Sequence, residues 1–180
     1  MRIIGGTARG RRLHTPKGRG IRPTPEMVRE AVFDILGEVA GLAVLDLYAG
    51  TGAMGLEALS RGAAWATFVD RGRAALELIR RNAEVCAFDT LAIVRADPSR
   101  GLAPVEAVGR HYDLVFCDPP YGQGLIPPTL ARLEGSGLLS PGAVIVAEHA
   151  PADEVAGVGR LQVSRSRRYG DVQITLLSEA

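Results

Sequence analysis

From residue 43 onward, short apolar runs alternate with segments in which apolar residues recur every three or four positions. The short runs predict strands near 43–48, 65–70, 91–96, 112–117 and 143–148. The periodic segments predict helices near 53–61, 72–86, 99–109 and 124–135. This alternation is typical of a parallel sheet that is covered by helices.

The two ends of this pattern refine the predicted fold. Thr24 and Pro25 are typical of the cap and first residue of a helix, and Gly37 is expected to end that helix. Two further strands near 160–168 and 172–178 lie so close in sequence that only an antiparallel hairpin can join them. A plain dinucleotide-binding fold would add another crossover helix here. We therefore predict an α/β, Rossmann-like sheet of seven mostly parallel strands that ends in an antiparallel hairpin strand.

Composition places limits on the class of protein. The chain has 180 residues, 47% of them hydrophobic, which suits one substantial core and a single catalytic domain. No apolar run approaches the roughly 20 residues of a membrane span, and the basic N-terminus lacks the apolar stretch of a signal peptide. We therefore expect a cytoplasmic, monomeric protein without a membrane partner. Cys86 and Cys117 stand alone in apolar surroundings, which predicts buried thiols and no metal site.

The net charge of +1 hides a strongly basic N-terminus. Residues 1–22 contain no acid and carry Arg2, Arg9, Arg11, Arg12, Lys17, Arg19 and Arg22. Ile3 and Leu13 flank a Gly-Gly pair, which predicts a short hairpin followed by a flexible strap. A polyanion is the expected partner of this N-terminal extension, and a disordered solubilising tail is the alternative. Residues 23–180 are then expected to form the main domain.

A glycine-rich segment follows the first strand of the predicted sheet. Gly50, Gly52 and Gly55 lie where this strand meets a helix, so the backbone can approach a ligand and direct helix N–H groups at it. A side chain at Gly52 is expected to enter the volume of that ligand. The spacing also matches the dinucleotide fingerprint, which keeps a nicotinamide-dependent oxidoreductase open as an interpretation.

Acidic residues occur at or near the ends of four successive predicted strands. They are Asp46, Asp70, Asp97 and Asp118. Open α/β sheets bind their ligands at the carboxyl ends of their strands, so these acids are expected to share a site. Asp70 is placed to bind ribose hydroxyls and Asp97 to meet an adenine amino group. Asp46 and Tyr48 are expected to line the same cofactor site.

The segment Asp118-Pro119-Pro120-Tyr121 directly follows a predicted strand. The two prolines prevent the strand from continuing and leave the carbonyls of Asp118 and Pro119 as acceptors. A carboxylate and a carbonyl can accept both N–H bonds of an aromatic amine, while the Tyr121 ring stacks on the base without needing its hydroxyl. Hydride transfer has no evident use for this segment, whereas methyl transfer from S-adenosylmethionine to an amine does. A loop that merely ends a strand is the alternative.

Motifs along nearly the whole chain carry a family resemblance. They are Arg2-Ile3-Ile4-Gly5-Gly6, Arg22-Pro23-Thr24, Leu45-Asp46-Leu47, Gly55-Leu56-Glu57-Ala58-Leu59, Asp118-Pro119-Pro120-Tyr121 and Arg168-Tyr169-Gly170-Asp171. With them the chain resembles the RsmD-type 16S ribosomal RNA guanine-N2 methyltransferases of bacteria. The resemblance implies a class I fold that uses S-adenosylmethionine, an N-terminal extension for RNA, and a guanine in a 30S assembly intermediate as target.

The same resemblance implies roles for individual residues. Gly50 and Gly52 would line the methionine moiety, Asp70 would hold the ribose, Asp97 would face the adenine, and residues 118–121 would hold the guanine. The chain departs from the family's pattern at Asp70, where Glu is more frequent, and at Pro98-Ser99 after Asp97. No metal and no covalent nucleophile are expected to take part.

Two further interpretations stay open at this stage. DNA adenine-N6 and cytosine-N4 methyltransferases share the proline motif, and a non-catalytic RNA-binding assembly factor would explain the basic extension. A second basic cluster, Arg165, Arg167 and Arg168 beside Tyr169, is a candidate for phosphate contact and stacking. A solvated strand face is the alternative for that cluster.

Overall fold

The structure is a computed structural model that describes residues 1–16 and 26–179. Its helices are α1 (Glu26–Leu36), α2 (Ala53–Ser60), α3 (Arg73–Cys86), α4 (Ala103–Glu106) and α5 (Ile126–Ser136). Its strands are β1 (Ala43–Leu47), β2 (Trp65–Asp70), β3 (Leu91–Arg95), β4 (Tyr112–Cys117), β5 (Leu139–His149), β6 (Leu161–Tyr169) and β7 (Val172–Glu179).

The strands form a seven-stranded sheet in the order β3-β2-β1-β4-β5-β7-β6. The pairs among β1 to β5 are parallel, whereas β7 lies antiparallel between β5 and β6. The prediction of a mostly parallel sheet with a final antiparallel hairpin is therefore confirmed. Because β1 to β5 run in one direction, their carboxyl ends meet along one edge of the sheet.

Each face of the sheet carries its own buried cluster. Apolar side chains of α1, α2 and α3, among them Phe33, Leu56 and Ile79, pack on one face. Side chains of α4 and α5, among them Val105 and Leu133, pack on the other. Within the described ranges 1–16 and 26–179, no helix is both long enough and apolar enough to cross a lipid bilayer.

Two predicted elements differ from the structure. The predicted helix at 99–109 is wrong in extent, because only the single turn of α4 is helical between Gly101 and the positive-φ Gly109. The predicted strand at 143–148 begins earlier, since β5 includes the Pro141-Gly142 pair, where its register with β4 shifts. Thr24 and Pro25 lie outside the described residues. Helix α1 ends at Leu36, and Gly37 follows with a φ of 73°.

The N-terminal residues 1–16 dock on the main domain. Ile3 N–H donates to the Arg11 carbonyl at 3.0 Å and Gly10 N–H donates to the Ile3 carbonyl at 2.9 Å, so the two arms pair antiparallel. The chain reverses between these arms over a loop longer than the expected tight Gly-Gly turn. Ile3 and Leu13 are buried in the same cluster as α1 to α3. These residues are therefore part of the packed fold, with their arginines on its surface.

Candidate active site

A cleft of about 550 Å³ opens at the carboxyl edge of the sheet. It is lined by the loop after β1 and by the ends of β2, β4 and β5. The predicted site residues that line it are Asp46, Tyr48, Gly50, Asp70, Asp97, Asp118, Pro119, Pro120 and Tyr121. Residues far apart in the sequence thus meet in one cavity, as the strand-end argument predicts.

The glycine loop uses its three glycines in different ways. Gly50 lines the cleft at a φ of 55°, and a Cβ placed there would meet only the Tyr48 carbonyl at 3.8 Å. A Cβ on Gly52 would instead lie 3.3 Å from the side chains of Ile79 and Phe68. A side chain at Gly52 would therefore enter the core and not the cleft, contrary to the sequence-based expectation. Its φ of 75° is what requires glycine there.

The third glycine brings α2 close to the sheet. A Cβ on Gly55 would approach the Phe68 ring to 2.4 Å, which real side chains do not do. Its N–H donates to Asp46 Oδ2 at 3.0 Å. This contact joins the first turn of α2 to β1 and places the N-terminal end of the helix at the cleft.

The Asp70 carboxylate is oriented by two backbone N–H groups. Gly50 N–H donates to Oδ2 at 3.0 Å, and Gly72 N–H donates to Oδ1 at 2.8 Å. Each oxygen keeps lone pairs that can accept a hydroxyl group. Asp70 is thus fixed in position before a ligand arrives, and it also closes the glycine loop against the end of β2.

Asp97 is held by the residues that follow it. The N–H and hydroxyl of Ser99 both donate to Asp97 Oδ1, at 3.2 and 2.7 Å. Arg71 lies 3.7 Å from Oδ2, across from the end of β2. The Pro98-Ser99 pair therefore has a local role, because Ser99 fixes the direction of the carboxylate at the cleft.

Two polar residues at the end of β1 line the cleft, Asp46, which is buried, and Tyr48, which is half-buried. Burial raises the pKa of Asp46 to about 8; the Gly55 N–H opposes this shift and the Asp70 charge adds to it. Tyr48 adopts a φ of 60° at the end of β1. Its hydroxyl lies 2.6 Å from that of Thr129, which donates in turn to the carbonyl of Leu125, the residue directly before α5. Burial raises the pKa of Tyr48 to about 12.

The proline segment forms the opposite wall of the cleft. Asp118 follows β4 directly, and its N–H donates to the Leu47 carbonyl at 3.4 Å. Tyr121 presents 37% of its surface to solvent, and its hydroxyl donates to Glu148 Oε1 at 2.7 Å. The ring is therefore held at the mouth of the cleft by a hydrogen bond to β5.

Glu148 is the functional candidate that the sequence reasoning missed. It lies near the end of β5, is 7% exposed, and lines the cleft. Cys117 pairs with Ala147, so Asp118 and Glu148 are the next positions in the register. The signal was available, because the fifth predicted strand also ended in an acid, and the strand-end rule applied to four strands applies equally to it.

The described arginines of the two basic clusters lie on other surfaces of the fold. Arg2, Arg9, Arg11 and Arg12 are exposed on the docked N-terminal residues, whereas Lys17, Arg19 and Arg22 lie outside the described residues. Arg2 pairs with Glu26 at 3.2 Å, and Arg11 donates to the Val85 carbonyl. Of the basic residues that the structure describes in the two clusters, none lines the cleft.

The second basic cluster lies on the edge strand β6, where Arg165, Arg167 and Arg168 are exposed. A register irregularity between Val163 and Arg165 sets Arg165 and Arg167 opposite Leu176 and Ile174. In the ranges 1–16 and 26–179, no group of His, Cys, Asp or Glu side chains could hold a metal ion.

Comparison with known proteins places this cleft in a class. The solved structure of the Escherichia coli protein yhhF superposes with a TM-score of 0.82 at 33% identity, covering 99% of this chain and 97% of that one. A hypothetical protein of Thermus thermophilus does so with a TM-score of 0.82 at 31% identity, covering 98% of both chains. The sheet order and the glycine loop, together with these neighbours, define the fold of the S-adenosylmethionine-dependent methyltransferases.

Sequence relatives define the family. The family model described as conserved hypothetical protein 95 matches residues 1–178. The ribosomal RNA small subunit methyltransferase D of Escherichia coli K12 is 40% identical over 149 residues, which are 82% of this chain and 74% of that protein. The protein of the same name from Haemophilus influenzae is 30% identical over 151 residues, 82% of this chain and 78% of its own length. The chain belongs to the RsmD family.

Proposed function

We propose that this protein transfers a methyl group from S-adenosylmethionine to the exocyclic N2 of a guanine in 16S ribosomal RNA, within a 30S assembly intermediate. The observation that carries the proposal is the shared cleft, in which the glycine loop and Asp70 face the proline segment that begins at Asp118. The names of the relatives, which are small-subunit ribosomal RNA methyltransferases, support RNA as the substrate.

The residues present fit S-adenosylmethionine. Asp70 offers a carboxylate already oriented for ribose hydroxyls, and Asp97 is oriented by Ser99 at the same edge of the sheet. Gly50 leaves room beside the N-terminal end of α2, where free N–H groups favour the carboxylate of a methionine moiety. When bound, this cofactor supplies an electrophilic sulfonium methyl group.

The proline segment suits the other reactant. The lone pair of the guanine N2 is delocalised into the ring, so the nitrogen is a poor nucleophile until its geometry changes. Asp118 and the carbonyl of Pro119 accept the two N2 hydrogens, which directs the lone pair out of the ring plane and toward the methyl group. No metal ion or covalent intermediate is needed for this role.

Tyr121 provides the stacking surface for the base, and Glu148 holds that surface in place. The hydrogen bond of 2.7 Å runs from the hydroxyl at the far end of the ring to a nearly buried carboxylate. A ring fixed at both ends presents one orientation to an incoming base and loses little entropy on stacking. The target guanine must be unpaired or flipped to reach this ring.

RNA outside the cleft is contacted by the two basic surfaces. The exposed arginines of the N-terminal residues are proposed to bind phosphates, together with Lys17, Arg19 and Arg22. Arg165, Arg167 and Arg168 on β6 form a second proposed contact, with Tyr169 beside them. Two separate basic surfaces suit a shaped ribonucleoprotein better than an isolated sequence.

A methyl-transfer assay tests the proposal. Labelled S-adenosylmethionine is incubated with the protein and with unmethylated small ribosomal subunits, free 16S RNA or duplex DNA. We expect label in the RNA of the subunits, less label in free RNA, and none in DNA. Label in DNA alone would contradict the substrate and favour an amino methyltransferase of DNA. No transfer together with tight binding of NAD would contradict the methyltransferase assignment itself.

A further inference from the structure

Asn82 joins the N-terminal residues to the glycine loop between β1 and α2, residues 48–52, which we call the cofactor loop. Asn82 lies fully buried on α3, and its Nδ2 donates to the carbonyls of Thr51 at 2.9 Å and His14 at 3.1 Å. Its Oδ1 accepts from the His14 N–H at 2.7 Å. The opposite orientation of the amide would set its NH₂ group against that N–H, so only this orientation satisfies all three groups.

Thr51 lies between the two positive-φ glycines of the cofactor loop and lines the cleft. Its carbonyl therefore sets the path of the loop at the point where the backbone meets the ligand. The bond to this carbonyl comes from α3 and not from the loop itself. The Asn82 side chain thus connects the Thr51 carbonyl in the loop to the backbone of His14.

The N-terminal residues rest on α2 as well. The buried Glu57 carboxylate accepts from the N–H groups of Ile4 and Gly5, both at 2.8 Å. Ser60 accepts from the Ala8 N–H at 2.9 Å. Helix α2 begins directly after Gly52, so the segment that carries the exposed arginines is fixed to the helix that starts at the cofactor loop. These bonds hold the N-terminal residues on α2, but they do not reach the Thr51 carbonyl, to which Asn82 donates.

We propose that Asn82 is a positioning residue that couples RNA contact on residues 1–16 to the conformation of the cofactor loop. RNA bound to the exposed arginines restricts the movement of the backbone at His14. Through its hydrogen bonds, Asn82 then restricts the movement of the Thr51 carbonyl as well. RNA then tightens cofactor binding, and by linkage the cofactor tightens RNA binding by the same factor. This inference rests on the proposed function for the identity of the two ligands.

The test is the affinity for labelled S-adenosylhomocysteine, measured by equilibrium dialysis with and without saturating unmethylated small ribosomal subunits. The wild-type protein should bind at least about fivefold more tightly when the subunits are present, which is the lower end of typical coupling factors. In Asn82→Ala the ratio should fall to about one. Ser60→Ala is the matched control, because it removes two hydrogen bonds to the same N-terminal residues, those with the Ala8 N–H and the Gly5 carbonyl, without touching the cofactor loop.

Several outcomes would overturn the inference. One is a folded Asn82→Ala that keeps the wild-type ratio, and another is a Ser60→Ala that loses it equally. A wild-type ratio of one, with RNA bound and methylated, would overturn the coupling while leaving the proposed function intact. A wild-type protein that neither binds nor methylates RNA would overturn the proposed function, and this inference with it.

A measurement on the wild type alone covers the case in which Asn82→Ala does not fold. Hydrogen exchange is followed in a peptide spanning residues 49–56, without cofactor. The Gly52 N–H in this peptide donates to the Ala49 carbonyl at 2.7 Å and reports opening of the loop. Subunits should slow its exchange at least about fivefold. Unchanged exchange with the subunits bound would contradict the coupling.

Discussion

The cleft has a proposed cofactor half, formed by the glycine loop and Asp70, and a proposed substrate half, formed by residues 118–121 and Glu148. The two halves orient their polar side chains by different means. In the cofactor half, Asp70 accepts from the backbone N–H groups of Gly50 and Gly72. In the substrate half, Tyr121 donates to the side chain of Glu148 on another strand. The Asp70 carboxylate therefore depends on the backbone path of the glycine loop. The Tyr121 ring depends on a side-chain contact in which the backbone of that loop takes no part.

This difference has a consequence for mutagenesis. Substitution of a carboxylate that holds the backbone should change both ligand affinity and the local fold. Substitution in the substrate half should change turnover and leave the cofactor half intact. Substitutions in the cofactor half are therefore expected to change mainly cofactor affinity, and substitutions in the substrate half mainly the catalytic rate.

The largest effect is expected for Asp118→Ala. Loss of one well-placed polar group typically costs roughly 100-fold or more in rate. Affinity for S-adenosylmethionine should stay near that of the wild type, because Asp118 is proposed to address the base. Single-turnover methylation and calorimetry measure the two quantities, with the exposed Asp34→Ala on α1 as the control. Near-normal turnover would refute the role of Asp118.

Asp70→Asn should weaken cofactor binding by about tenfold or more, as expected for a lost hydrogen bond to a charged group. The amide has one acceptor, whereas Asp70 accepts from Gly50 and Gly72 at once. An NH₂ group would therefore oppose one of these N–H donors. Calorimetry with S-adenosylhomocysteine measures the effect. An affinity equal to that of the wild type would remove Asp70 from the ribose site.

The basic surfaces should affect RNA binding and leave the affinity for S-adenosylmethionine measured without RNA unchanged. Neutralising Arg9, Arg11 and Arg12 together should weaken RNA binding and lower the log–log salt slope by roughly one unit for each phosphate that is no longer bound. Arg11 already donates to the Val85 carbonyl, so Arg9 and Arg12 are expected to account for most of the change. Filter binding at several salt concentrations measures the slope. An unaltered slope would support the solubilising interpretation of this segment.

Tyr121→Phe keeps the aromatic ring and removes the hydroxyl that bonds to Glu148. The sequence predicts that the ring alone is enough for stacking, but in the structure its hydroxyl donates to Glu148, which is 7% exposed. Loss of this bond should lower turnover by about threefold to tenfold, in keeping with a net hydrogen-bond contribution of about 1 kcal/mol. Tyr121→Leu should lose far more, because the stacking surface is gone. Equal rates for Tyr121→Phe and the wild type would make the contact to Glu148 incidental.

The last prediction concerns stability and not activity, and it involves Asp46, whose buried carboxylate accepts from the Gly55 N–H. Its pKa in the folded protein, about 8, exceeds the ordinary value of 3.8. The unfolded chain therefore ionises first, and the free energy of unfolding should fall as the pH rises from about 4 to about 8. In Asp46→Asn this dependence should flatten. Urea unfolding at pH 5 and pH 8 measures the free energy of unfolding of both proteins. The same change in this free energy between the two pH values in the wild type and in Asp46→Asn would contradict the shifted pKa.

The sheet was predictable because each parallel strand is a short apolar run and the last two strands are too close in sequence for a crossover. The carboxyl-edge acids followed from the same pattern. The extent of α4 was not predictable, since the apolar spacing of residues 99–109 is that of a longer helix, whereas Gly101 and Gly109 limit α4 to one turn. Periodicity does not record where a glycine lets the backbone leave the helix.

The contacts that orient the site were less accessible to sequence reasoning. The spacing of Gly50 and Gly52 does not tell which one faces the ligand, because this depends on the direction of a Cβ that glycine lacks. The bond from Asn82 to Thr51 and His14 joins positions far apart in the chain, and no local pattern marks it. Long-range polar contacts of this kind require coordinates.

The most direct measurement of the central claim is the identity of the methylated nucleoside. Unmethylated small ribosomal subunits are incubated with the protein and labelled S-adenosylmethionine, and the RNA is digested to nucleosides for mass spectrometry. We predict N2-methylguanosine, mapping to a single position of the 16S RNA and absent with Asp118→Ala. Methylated adenosine or cytidine in place of N2-methylguanosine, or label spread over many sites, would contradict the account.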